Sequence, residues 1–183
     1  MYKLLMIMFL LVLGTAASAQ VEDMKAAKKG AFLAAKKMNE ALINKDFGVY
    51  ANFNHPKVIK EAKGGRDGLI FQMQTQIANN ENHGNYISAI YPGQPSDIID
   101  TAGEWQCTIP LYMEVKVPNA KVSTQTTLVG ISMNKGQDWY FIDVANAGGV
   151  DGLKPSFPTL SSKLYAPPAP EAKVTQDPPS NNK

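Results

Sequence analysis

Between residues 22 and 45, apolar side chains recur at three- and four-residue steps: Met24, Ala27, Ala31, Ala34, Ala35, Met38 and Leu42. That spacing predicts one long amphipathic helix with a single buried stripe. Glu22 and Asp23 fall in its first turn, where the helix dipole favours negative charge. Lys25, Lys28, Lys29, Lys36 and Lys37 cover much of the remaining surface as a solvated face. Asp46 then reads as the N-cap of a shorter helix through Phe47, Val49, Tyr50 and Phe53. Asn54-His55-Pro56 marks a boundary, with Pro56 at the first position of a third helix that Gly64-Gly65 stops. Asp67 opens a fourth, whose face is Leu69, Ile70, Met73 and Ile77; the polar run 79–85 closes the helical half.

From Tyr86 onward the period changes to two. Tyr86 to Tyr91 predicts a strand, and Ile98-Ile99 a short second one. The strongest alternation in the chain is Glu104 to Val117: Trp105, Cys107, Ile109, Leu111, Met113, Val115 and Val117 interleave with polar residues. One face of that strand must be buried. Pro110 within it predicts an edge position or a bulge. Pro118-Asn119 turns the chain into a return strand from Lys121 to Met133, and Asn134-Lys135-Gly136 turns it again into residues 138–144. Helices first and then an antiparallel meander predict an α+β domain, with helices packed on one sheet face.

The two ends differ from this pattern. Lys3 precedes the apolar run Leu4 to Leu13, Gly14 breaks it, and Ala17-Ser18-Ala19 has the small-x-small spacing of a cleavage site. Residues 1–19 therefore read as an export signal, with the mature chain starting at Gln20. The run of about 10 residues is too short to span a bilayer as a helix, so no membrane span is expected after cleavage. The expected location is periplasmic or secreted. Seven of the 12 prolines lie from Pro155 onward. Leu153, Phe157, Leu160 and Leu164 are expected to pack on a domain covering 20–165, and the Pro-rich tail 166–183 is expected to be disordered beyond Glu171.

Charge and composition mainly exclude. Eighteen Lys and Arg against 16 Asp and Glu leave a net charge of +2, without the basic stripe of a nucleic-acid binder. Cys107 is the single cysteine, so there is no intrachain disulfide; its alternating position predicts a buried apolar role. Two dispersed histidines and one cysteine have no metal-ligand spacing, and no dinucleotide loop, phosphate loop or Gly-x-Ser-x-Gly elbow occurs. Neither a metal nor another cofactor is expected.

The segments Gly64-Gly65-Arg66-Asp67-Gly68-Leu69, Val129-Gly130-Ile131-Ser132 and the hairpin Lys135 to Asp143 stand out along the chain. Within a likeness covering about 22–146, they resemble exported bacterial members of the nuclear transport factor 2-like superfamily (SnoaL-like, cystatin-like). The resemblance implies a cone: a curved antiparallel sheet wrapped around the N-terminal helices. It also implies a non-catalytic binding module, dimeric through the outer sheet face. The cone would hold a small, mostly apolar ligand or a protein partner. Tyr50 and Phe53 would border the mouth, with Tyr112 and Asp143 as further contacts. An isomerase, cyclase or dehydratase is the alternative, with His55 or Asp143 as base and Tyr50, Tyr112 or Tyr140 as donor. A third reading is an interaction domain with a filled cone.

Overall fold

The computed structural model describes residues 2–145 and 147–177, with side chains from residue 22 onward. The helical half comprises α1 (Tyr2–Ile43), α2 (Phe47–Ala51), α3 (Pro56–Glu61) and α4 (Gly65–Asn82). The sheet comprises β1 (Tyr86–Pro92), β2 (Ile99–Thr101), β3 (Glu104–Val117), β4 (Ala120–Ser132) and β5 (Tyr140–Asp143). A single turn, α5 (Val150–Leu153), and a further strand, β6 (Lys173–Gln176), are the last elements among the described residues. Two caps follow the sequence, but α1 runs on from Tyr2, so Glu22 and Asp23 lie within the helix rather than in its first turn, and Gly64 is the N-cap of α4, with Asp67 in its first turn. Asp46 Oδ1 accepts from Val49 N at 3.0 Å, and His55 Nδ1 accepts from Lys57 N at 3.2 Å, with Pro56 opening α3.

Antiparallel pairing runs β1–β3–β4–β5, with β2 also on β3 and β6 also on β4. The cone is not formed. The sheet is open and uncurled, and its outer strands β1 and β5 do not pair with each other. This overturns the nuclear transport factor 2-like resemblance and the pocket implied by it. The physical reason is that helix-then-meander order fixes which layers exist but not the curvature, which depends on what covers each sheet face.

Here each face is covered in part. On one, Ala27, Ala31, Ala35 and Met38 of α1 pack on Trp105, Cys107, Ile109, Leu111, Leu128 and Phe141. The small side chains of α1 let it approach the large sheet residues closely. On the other, Val129, Ile131, Ile142 and Val144 lie under Val150, Leu153, Phe157, Leu160 and Leu164. The C-terminal segment thus occupies, within the same chain, part of the outer face expected to serve a dimer. Gln106 joins them: its Nε2 donates to Thr159 O at 3.1 Å, and its Oε1 accepts from Ser161 N at 2.9 Å.

Two further expectations are corrected. β3 is central, flanked by β1 and β4, despite Pro110. Proline is tolerated there because β1 ends at Pro92, opposite Leu111, so the missing N–H faces the end of the ladder; Gly93 N donates to Pro110 O at 2.7 Å. The tail expected to be disordered beyond Glu171 instead contributes β6, paired with β4 from Ala120↔Gln176 to Ser123↔Lys173. Residues 178–183 of that expectation lie outside the described residues, as do the side chains of the expected leader. Among the described residues, no helix is long and apolar enough to cross a membrane.

Candidate functional site

The segment 63–68 sets the position of α4. Gly64 (φ +82°) and Gly65 (φ +61°) turn the chain through the left-handed region. A Cβ on Gly68 would lie 1.8 Å from the carbonyl oxygen of Lys63, so only glycine lets the turn fold onto the first helical turn. Arg66 then reaches α2. Its Nη2 donates to Gly48 O at 2.7 Å and to Asn52 Oδ1 at 3.0 Å. At the far end, Lys45 Nζ, just past α1, pairs with Glu81 Oε2 at 2.7 Å. Polar contacts therefore hold α4 at both ends.

The middle of α4 is different. No residue of this 18-residue helix is fully buried. Leu69, Ile70, Met73 and Ile77 are half-buried, and Met73 and Ile77 form one wall of an open cleft of about 290 Å³. Leu42, Ile43 and Tyr50 line the helical side, and Ile87, Met113 and Val115 the sheet side. A bulge between Ile87 and Ala89 places Ile87 opposite Val115 and Ile90 opposite Met113, so both isoleucines share the inner face. Lys45, Gln76, Asn80, Glu81 and Asn85 supply the polar part of the lining.

Of the residues singled out in the sequence, Tyr50 and Asp143 come within range of each other's charge, and the others stand apart. Tyr50 lines the cleft, and its phenol is pushed up to about 12, first by burial and then by the charge of Asp143. Asp143 is an exposed strand end whose Oδ1 accepts from Thr126 Oγ1 at 2.7 Å and Ala145 N at 2.8 Å. Phe53 lies in a second, more open hollow with Leu33, Val49, Trp139 and Tyr140. Tyr112 is on the opposite sheet face, stacked on Tyr91 at 5.3 Å.

His55 caps α3 and packs edge-on against Phe157 at 5.0 Å. Its imidazole is held below the usual range, chiefly by burial, with Glu104 opposing and Lys57 reinforcing the effect. The helix cap and the aromatic contact account for this histidine. Cys107 is fully buried and its thiol is pushed up to about 12 by burial, with Lys28 opposing, which suppresses the reactive thiolate. Among the described residues, no cluster of three or more His, Cys, Asp or Glu could hold a metal ion.

The cleft residues Met73, Ile77, Ile87 and Met113 were visible only as apolar stripes. Periodicity assigns each its face but does not tell that the two faces stand apart. No family model matches the chain, and no curated protein matches it either.

Proposed function

We propose that this is an exported binding protein that takes one small, mainly apolar molecule into the open cleft beneath α4. The observation that carries the reading is the unfilled apolar face of α4, an 18-residue helix with no fully buried residue, over a cleft of about 290 Å³. That volume is near the lower end of ligand sites, about 300–1,000 Å³. The chemistry of the lining favours an uncharged ligand. Lys45 and Glu81 neutralise each other, while Gln76, Asn80 and Asn85 offer amide donors and acceptors. Tyr50 stays a neutral phenol at physiological pH. The one carboxylate in the lining is already paired and no imidazole is present, which supports binding rather than acid–base chemistry. Export rests on Lys3, the apolar run 4–13 and Ala17-Ser18-Ala19, and predicts a mature protein beginning at Gln20.

Titration with the neutral fluorophore N-phenyl-1-naphthylamine tests the site. Saturable binding is expected, weakened about tenfold or more by Met113→Trp and by Ile77→Trp, which fill the cleft; tenfold corresponds to about 1.4 kcal/mol. Unchanged affinity in both variants, with the fold intact by circular dichroism, would move the site elsewhere. Failure of the probe to saturate would overturn the reading.

A further inference from the structure

We propose that the edge of β4 at Ala120–Ser123 is a strand-acceptor site, occupied by β6 of the same chain and able to accept β6 of a second copy instead. Lys173, Val174, Thr175 and Gln176 are all exposed, so β6 adds no side chain to the core. Its hold is the ladder from Ala120↔Gln176 to Ser123↔Lys173, extended by Asp177 N donating to Asn119 O at 2.9 Å. A segment held by backbone pairing and exposed side chains is readily exchanged.

The occupant follows from the molecule itself. The strand that fits this edge in register belongs to every copy, and exchange of an identical element is a low-cost route to a dimer. Leu164 anchors the preceding segment in the outer-face cluster. Between it and β6, the stretch 166–172 contains Pro167, Pro168 and Pro170, which favour a stiff, extended connection of about 3.1 Å per residue. That tether gives β6 an effective concentration on the order of millimolar at its own β4. In the intact chain the intramolecular state therefore dominates until protein concentration approaches that value. A tether too short to reach leaves only the second copy.

Deletion of residues 167–171 removes about 16 Å of reach. Sedimentation of the purified protein and this variant is expected to show the dimer midpoint falling about 100-fold or more, into the micromolar range. Two prolines separate strand pairing from other association. Asp177 donates to Asn119, just before β4, so by strand alternation Thr175 also points its N–H toward β4 and Val174 away from it. In the shortened chain, Thr175→Pro should restore the monomer and Val174→Pro should leave the dimer. A shortened chain that stays monomeric would overturn the proposal. So would a dimer that survives Thr175→Pro, or one lost equally with either proline.

Discussion

Tyr50 and Cys107 illustrate how burial dominates a side chain's chemistry. Both acids are pushed up to about 12 chiefly by loss of solvent, from ordinary values of 10.0 and 9.0. Because each folded value lies above its unfolded one, the neutral group's contribution to stability is complete below the unfolded value. It is lost as pH rises toward 12. The window opens near pH 9 for the thiol and near pH 10 for the phenol. A tenfold difference in acidity between the folded and unfolded chain corresponds to about 1.36 kcal/mol, so Tyr50 carries on the order of 3 kcal/mol across its window. The urea midpoint should therefore fall between pH 9 and 11.5 in the native chain and fall less in a Tyr50→Phe, Cys107→Ala variant. An equal fall in both would reject burial as the cause. Position in an alternating strand made Cys107 legible as buried. The Tyr50 environment was not legible, because Asp143 lies about 90 residues further along the chain and approaches it only in the folded state.

At the scale of elements, local signals placed most boundaries closely, although α1 starts at Tyr2 and not near residue 22. Asp46 and His55 cap the helices expected of them, and β3 spans the alternating run Glu104–Val117. What the pattern does not encode is how closely two elements approach. Gly136 reports one such approach. Its φ is +83°, and a Cβ there would meet the Cβ of Ala27 at 2.6 Å, where α1 crosses the turn before β5. Gly103 has nearly the same backbone, φ +81°, with nothing within 4 Å. Gly103→Ala should therefore cost only left-handed strain, about 1–2 kcal/mol. Gly136→Ala should cost about 2–4 kcal/mol, because α1 must also move. Chemical unfolding of the two variants isolates the contact. Equal losses would mean that α1 does not press on this turn.

Over the whole molecule, the C-terminal segment covers part of the outer face that the cone would have left to a second copy. Val150, Leu153, Phe157, Leu160 and Leu164 are buried on the sheet. Each such side chain contributes about 1.5–3 kcal/mol, so five of them rival a net domain stability of about 5–15 kcal/mol. Truncation after Gly148 should thus give a chain that aggregates or binds hydrophobic dyes. Truncation after Tyr165, which removes only the linker and β6, should leave the thermal midpoint within a few degrees. A stable, soluble Gly148 truncation would show that the outer layer is dispensable. By itself the sequence determined the order and type of the elements from α1 to β5, the buried faces of α1 and β3, and the packing of Leu153 to Leu164, because periodicity and capping act over a few residues. Only the tertiary structure decided that the sheet stays open, that β3 is central despite Pro110, and that α4 stands off the sheet above a cleft. Those outcomes depend on contacts between segments far apart in the chain, where side-chain volumes such as those of Ala27, Trp139 and Met113 must fit one another in space, and no local spacing records that fit.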